Sequence, residues 1–255
     1  MNKNYEKIVS LVCNTLVEAG STFREDKKKA YKRAIASEDN EKAKWVLETV
    51  LANVEAAEKN HSPLCDDTGI PHIVLEIGPD AAVTGRMLDA IREGIAKGLR
   101  KLPGRPMGIM GDDCRRIDQS GGLNPDSAGV EPAPILIRRC QDNVIRLHIL
   151  MFGGGPAIRA KTYRVFHKHN MQVVLDEIVN WATEGVAQLG CSPCTLAVGV
   201  GRSHFEATSM MLQAQVDGRY DLQSEMEQEI TRRVNEANIG PVSYTHLTLP
   251  TNREV

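Results

Sequence analysis

The feature that most constrains the fold is the alternation of amphipathic helical segments with short β-rich runs along the chain. From Tyr5 to Ala57, apolar side chains recur three and four positions apart, which is the spacing of one face of an α-helix. This pattern predicts a helical N-terminal segment. Its predicted inward-facing residues are Ile8, Leu11, Val12, Leu16, Val17, Trp45, Val46, Val50, Leu51 and Val54.

Further along the chain, β-rich runs are separated by helical patterns. Strands are predicted over residues 72–78, 134–139, 143–152 and 195–201, and helices over 80–101, 168–188, 203–214 and 221–238. The four residues CQDN separate the second strand from the third and predict a hairpin. Helices and strands alternate but hairpins also occur, so we predict an α+β (α/β mixed) fold: a mixed β-sheet flanked by helices.

Composition excludes several classes of protein. With 31 Lys and Arg against 33 Asp and Glu, the chain lacks the basic excess of a nucleic-acid binder. It also lacks an apolar run of about 20 residues that could span a membrane. The N-terminus is interrupted by charges and does not resemble a signal peptide, so the six cysteines are expected to be reduced thiols. We therefore expect a cytoplasmic protein with neither a nucleic-acid nor a membrane partner.

The C-terminal run VSYTHLTLPTNREV differs from the rest of the chain. It has no helical periodicity, and it resembles one reading frame of a transposon-type sequencing adaptor. We therefore expect residues 1–241 to form the folded domain and residues 242–255 to be a non-native read-through tail. The alternative is a genuine disordered tail.

The cysteines differ in their surroundings. Cys13 lies among apolar helix positions and is expected to be buried and inert. Cys65 lies in PLCDDTG beside two carboxylates, which disfavour a free thiolate but are tolerated next to a bound cation. Cys191 and Cys194 form CSPC, a pattern compatible with a zinc half-site, a redox dithiol or an iron–sulfur ligand. Zinc requires more ligands at short spacing, and a dithiol usually precedes a helix. The interpretation that remains is a site assembled from distant loops, in which thiolates such as Cys65 and Cys191 converge.

Three glycines, 153–155, directly follow a predicted strand. Glycines at such a position let the backbone approach a ligand closely, and the free amides there can bind an anion. A plain turn is the alternative.

Three motifs, taken together and in order, resemble one enzyme family. PLCDDTG resembles the C-Q-D-T-G motif of class I fumarate hydratases and L-tartrate dehydratases. MFGGGPAIRAK is similar to the glycine-rich turn of that family, and LGCSPCTLAVGVG is similar to its A-C-P-P-Y-H-L-A segment. The resemblance extends from about residue 4 to residue 241 and is to the α, or N-terminal, part of a two-component hydro-lyase.

The resemblance implies a [4Fe–4S] cluster held by three cysteines, of which Cys65 and Cys191 match the first two. Cys194 stands where the family has an aromatic residue and is expected to be a neighbour of the cluster. The third ligand of the family lies beyond the segment ending in I-G-P, so we expect a truncated and inactive polypeptide. The resemblance also implies which residues contact the substrate. Asp67 is one of them and is also the catalytic candidate, and Asp66 stands in place of the usual Gln. Arg105 and Gly154 are the others, and Arg115, Arg116 and Arg159 are alternatives to Arg105.

The function implied is the reversible hydration of a C4 dicarboxylate, fumarate to malate, by an α subunit that works with a β subunit. The assembly would be a heteromer or a homodimer of α–β pairs. L-tartrate dehydration is the alternative within the family. A non-catalytic thiol or zinc-binding module, or a structural fragment without metal, is the alternative outside it.

Overall fold

The computed structural model describes residues 3–102, 104, 114, 124–153, 160–189, 193–237, 239 and 247–248. The chain forms two compact units, of which unit 1 is Met1–Thr22 with Asn53–Ala157 and unit 2 is Phe23–Ala52 with Ile158–Val255. No helix in these described ranges has the length and apolar character needed to cross a membrane.

The helices and strands of the described residues confirm a mixed α+β architecture. The helices are α1 (Lys3–Ser21), α2 (Glu25–Ser37), α3 (Glu41–Asn60), α4 (Gly85–Lys101), α5 (Met171–Ala187), α6 (His204–Asp217) and α7 (Glu225–Asn235), with a 3₁₀ turn at Ser127–Gly129. The strands are β1 (Ile70–Ile77), β2 (Leu136–Arg139), β3 (Ile145–Phe152), β4 (Thr195–Leu196) and β5 (Leu247–Thr248).

Unit 1 is built on a three-stranded mixed sheet. Its order is β2-β1-β3, with β1 parallel to β2 and antiparallel to β3. Alternate residues of a strand point to opposite faces, and the face that carries Ile73 and Leu75 packs against α1 and α4. The core of this unit therefore lies between the sheet and these two helices. Its buried residues are Val12, Leu16, Ile73, Leu75, Ile91, Ile95, Leu99, Leu102, Val130 and Ile149.

The predicted hairpin of β2 and β3 is wrong, because β1 lies between them. The connection instead crosses the end of β1, where Cys140 N donates to Ile77 O at 3.1 Å and Gly78 N donates to Val144 O at 2.9 Å. A Cβ atom on Gly78 would lie 2.2 Å from Asp142 O, so the crossing requires glycine there. Local strand patterns indicated the two strands but not the strand inserted between them.

A buried carboxylate joins the three strands. Glu76 on β1 lies opposite Arg138 of β2 and Arg146 of β3, and it is 6% exposed. Arg138 Nε donates to Glu76 Oε1 at 2.9 Å, Arg146 donates to Glu76 Oε2 at 2.5 Å, and His148 Nε2 lies 3.4 Å from that oxygen. Burial alone would raise the pKa of Glu76, but the hydrogen bonds from the two guanidinium groups outweigh it and bring the pKa to about 2.

Unit 2 has two apolar clusters of its own. One joins α2 and the first part of α3 to Tyr220, and the other joins α5 to α7. The two-residue strand β4 pairs in parallel with β5. Residues 195–201 were predicted to be a buried strand, but only Thr195 and Leu196 are strand, and Val200 is 56% exposed. A Cβ atom on Gly199 would lie 2.0 Å from Ala207 O, so this segment packs its backbone against α6.

Three further details of the helix prediction require correction. Leu11 and Trp45 were predicted to face inward but are 62% and 65% exposed. In α3 the buried positions are Ala43, Leu47, Val54 and Ala57. The helix predicted from residue 80 begins at Gly85, because the Thr84 side chain accepts a hydrogen bond from Met87 N and caps the helix.

The Glu76 network makes the stability of unit 1 dependent on pH. The pKa of Glu76 falls from 4.5 to about 2 on folding, so its contribution is complete above pH 4.5 and is lost as the pH falls toward 2. We expect Glu76→Gln to lower the free energy of unfolding at pH 7 by about 2 kcal/mol, after allowance for solvent screening of the half-exposed Arg146. Urea denaturation at pH 7 and pH 3 measures both effects.

The exposed Glu48 on α3 provides the control, because Glu48→Gln should leave the unfolding free energy within about 0.5 kcal/mol of wild type. Between pH 5 and pH 3, Glu76→Gln should lose less stability than wild type. Equal stability of Glu76→Gln and wild type at pH 7 would contradict this description of the network.

Candidate functional site

The loop that contains the PLCDDTG motif is anchored within unit 1. It runs from the end of α3 to the start of β1. Leu64 N donates to Gly20 O at 2.9 Å, and Asn53 Nδ2 donates to Leu64 O at 2.9 Å. Both hydrogen bonds hold the residue immediately before Cys65, so the backbone leading into the motif is fixed to α1 and α3.

Within this loop the two neighbouring aspartates have different environments. Thr68 N donates to Asp66 O at 3.0 Å, which closes a tight three-residue turn centred on Asp67. The side chains of Cys65 and Asp66 are exposed, whereas Asp67 is partly buried and its Oδ1 atom is shielded from solvent. The turn therefore presents a thiol and one carboxylate to solvent and directs a second carboxylate inward.

The end of the motif packs directly against the end of β3 and Gly153. Gly69 has a φ of +84°, and a Cβ atom on it would lie 2.0 Å from Phe152 O and 2.5 Å from Gly153 N. The neighbouring residues Ile70 and Phe152 are paired in the β1–β3 ladder. The structure thus brings the end of CDDTG into backbone contact with Phe152 and Gly153, which are distant in the sequence.

Gly104 also reaches this loop. A Cβ atom on Gly104 would lie 1.9 Å from Thr68 Cγ2, so the Gly104 backbone lies against the Thr68 side chain. Gly104 directly precedes Arg105 in the sequence. Unit 1 therefore assembles parts of three segments that the sequence analysis linked to substrate binding.

A histidine and a phenylalanine support the junction of β1 and β3. The His72 ring lies edge-on to Phe152 with a centroid distance of 4.5 Å, and His72 Nδ1 donates to Ile70 O at 3.0 Å. Burial lowers the pKa of His72, against the effect of this hydrogen bond. The ring contact with Phe152 connects β1 to β3.

Three of the predicted site residues lie outside the described residues. Cys65, Asp66 and Asp67 occupy one turn, but Arg105, Gly154 and Cys191 are not among the residues that the structure describes, nor are Arg115, Arg116 and Arg159. Convergence of Cys65 and Cys191 therefore stays a prediction. Neither of these glycine contacts was predicted from the sequence. Gly69 is the last residue of CDDTG and Gly104 directly precedes Arg105, and these positions are the signal that could have indicated the contacts.

The turn carries one cysteine of the kind that binds iron–sulfur clusters. Such clusters are held by cysteine thiolates, and Cys65 is a free cysteine with an exposed side chain. In the described ranges, no three His, Cys, Asp or Glu side chains are grouped as a metal site. Any further ligands would have to come from other residues, such as Cys191.

The other cysteines of interest have different environments. Cys13 is 6% exposed, as predicted for a buried thiol of α1. Cys194 is partly buried, and burial raises its pKa to about 11. The protonated thiol is therefore the favoured form of Cys194 at neutral pH.

The contact between Gly69 and Phe152 gives a test of the site's construction. Gly69→Ala should lower the free energy of unfolding by at least about 2 kcal/mol, because alanine is strained at this positive φ and its Cβ would overlap a strand backbone. Gly85→Ala is the control, since no atom lies within 4 Å of a Cβ there. Urea denaturation of both variants is the measurement, and equal stabilities would contradict the close packing.

Comparisons with known proteins agree with the motifs. The fumarate hydratase (Fumerase) family model matches residues 9–249. The chain is 25% identical to the "Putative L(+)-tartrate dehydratase subunit alpha" of Methanocaldococcus jannaschii over 92% of this chain and 82% of that protein. It is 24% identical to the "Putative fumarate hydratase class I" of Geobacillus stearothermophilus over 61% of this chain and 28% of that protein.

The family match covers most of the chain, including the turn that holds Cys65, Asp66 and Asp67 and the β1–β3 junction beside it. We conclude that the chain belongs to the fumarate hydratase (Fumerase) family of hydro-lyases.

Proposed function

We propose that this chain is the α component of an iron–sulfur hydro-lyase that adds water reversibly to a C4 dicarboxylate, converting fumarate to malate. The observation that carries the proposal is the packing of the CDDTG turn, through Thr68 and Gly69, against Gly104 and Gly153. Glycines at such positions let a small substrate lie close to the main chain, two residues or fewer from Asp67 in the sequence of the turn.

The reaction sets the requirements for the site. Malate loses a weakly acidic proton from carbon and a hydroxide, which is a poor leaving group. We propose that Asp67 accepts a hydrogen bond from the substrate hydroxyl and holds a proton at its carboxylate during the reaction. Arg105 would bind a substrate carboxylate through its bidentate guanidinium, and the backbone N–H of Gly154 would donate to the same substrate. The Asp66 carboxylate would be a second polar contact.

We further propose that Cys65 and Cys191 are ligands of a [4Fe–4S] cluster. When bound, such a cluster supplies a Lewis-acid iron that assists departure of the hydroxyl group. The exposed thiol of Cys65 lies two residues from Asp67, so the cluster ligand and the substrate contact share one short turn. This proximity supports a common site.

A β subunit is the proposed partner. The Methanocaldococcus relative is named as a subunit alpha, which supports a separate chain that completes the enzyme. The assembly would be a heteromer of α and β chains or a dimer of such pairs.

L-tartrate is the second candidate substrate. One observation favours it: the tartrate dehydratase relative matches 92% of this chain, whereas the fumarate hydratase relative matches 61%. Tartrate has one more hydroxyl group than malate, and the Asp66 carboxylate could accept a hydrogen bond from it.

The proposal is tested with the full-length α chain co-expressed with its β chain and reconstituted anaerobically with iron and sulfide. We expect the enzyme to form malate from fumarate. Its kcat/KM is then measured for two dehydrations, that of malate and that of L-tartrate, and the larger value identifies the preferred substrate. Asp67→Asn should lower kcat by about 10²- to 10⁴-fold, because the substituted amide does not take up a proton.

Asp80→Asn is the matched control, since Asp80 is exposed after β1, and its kcat should remain at the wild-type value. Wild-type kcat in Asp67→Asn would contradict the role of this carboxylate. Stoichiometric zinc without iron, and no turnover of either substrate, would instead support the non-catalytic zinc-binding alternative.

A further inference from the structure

A groove lies between α1 and α4 in unit 1, and the proposed reaction does not use it. Its volume is about 430 Å³, which is within the size range of small-molecule sites. The buried side chains of Val9 and Cys13 line this groove, and so do the exposed side chains of Ser10, Asn14 and Lys101. The groove therefore combines an apolar surface with groups that can donate hydrogen bonds.

Glycines of α4 hold the two helices close together. A Cβ atom on Gly94 would lie 2.8 Å from Val9 O, and a Cβ atom on Gly98 would lie 3.1 Å from Cys13 O. Because the later glycine meets the later residue of α1, the two helices run in the same direction. The last turn of α4 is therefore at the Cys13 end of the groove.

The three cations that line the groove differ in their partners. Lys97 Nζ lies 2.6 Å from a carboxylate oxygen of Glu93, and Arg100 donates to both carboxylate oxygens of Asp126, at 3.0 and 2.7 Å. Among the described residues, Lys101 has no carboxylate partner. An unpaired ammonium therefore remains in the last turn of α4.

Two neutral side chains of α1 add to this ammonium. Within the described part of the chain, the Ser10 hydroxyl and the Asn14 amide have no hydrogen-bond partner in the protein. The carboxylate that lines the groove belongs to Glu6, which is about two helical turns before Asn14 and interacts with Lys97. The Lys101 end of the groove therefore offers an ammonium, a hydroxyl and an amide to an anionic group.

We propose that this groove binds small organic phosphate monoesters. Lys101, Asn14 and Ser10 donate hydrogen bonds to the phosphoryl oxygens, since lysine binds phosphate as a point charge. The bidentate fork of Arg100 is occupied by Asp126, so the free donors suit a phosphate better than a carboxylate, which is recognised best by such a fork. The organic part of the ligand packs on the apolar surface of the groove.

The alternative is that Lys101 stabilises the negative C-terminal end of the α4 dipole and binds no ligand. Lys59 is the matched control, because it is an exposed lysine in the last turn of α3 and does not line the groove. Binding of phenyl phosphate to the full chain is measured by isothermal titration calorimetry. Inorganic phosphate and malate, at the same ionic strength, are the comparison ligands.

We expect phenyl phosphate to bind with a Kd of about 1 mM or below. Inorganic phosphate should bind at least about fivefold more weakly, because it has no apolar part to cover the groove. Lys101→Met should weaken phenyl phosphate binding at least about tenfold, whereas Lys59→Met should keep the wild-type Kd. Malate should not displace phenyl phosphate.

Three results would overturn the proposal. The first is that phenyl phosphate shows no saturable binding, and the second is that Lys101→Met and Lys59→Met bind it equally well. The third is that malate displaces it or that inorganic phosphate binds as tightly, because either result would show that the groove does not recognise an organic phosphate.

Discussion

The antiparallel pairing of β1 with β3 is the constraint on which the candidate site depends. Because Ile70 pairs with Phe152, the residue before β1 and the residue after β3 meet at the same end of these two strands. Those residues are Gly69, which ends the CDDTG motif, and Gly153, which begins the glycine-rich turn. A shift of one residue in this register would separate the two motifs and turn alternate side chains to the wrong face.

Glu76 helps to fix that register at the other end of the strands. It is opposite an arginine on each neighbouring strand, and its burial means that a shifted register would leave a carboxylate without its cations. An unpaired buried charge destabilises a fold by more free energy than a paired one contributes to it. A buried, paired carboxylate such as Glu76 therefore destabilises shifted registers more than it stabilises the correct register. The chemistry of the site and the polar network of the sheet are therefore linked through one strand.

Local patterns in the sequence predicted most of the elements, because helix and strand periodicities depend on neighbouring residues. They did not predict strand order: the segments around Arg138 and Arg146 suggested a hairpin, whereas β1 with Glu76 lies between them. Cys65, Asp66 and Asp67 could be selected from one short motif. The contact of Thr68 with Gly104 could not be predicted, since it depends on where the end of α4 lies relative to the turn. The exposure of Trp45 shows the same limit, because periodicity alone does not say which apolar side chains a neighbouring element covers.

We propose that the turn beside β1 holds an iron–sulfur cluster through Cys65. Iron and acid-labile sulfide bound per α chain, measured after anaerobic reconstitution of the full-length complex, test it most directly. The account predicts that Cys65→Ser loses the bound iron and sulfide, whereas Cys114→Ser and Cys194→Ser keep the wild-type content. Wild-type iron and sulfide in Cys65→Ser would contradict the account.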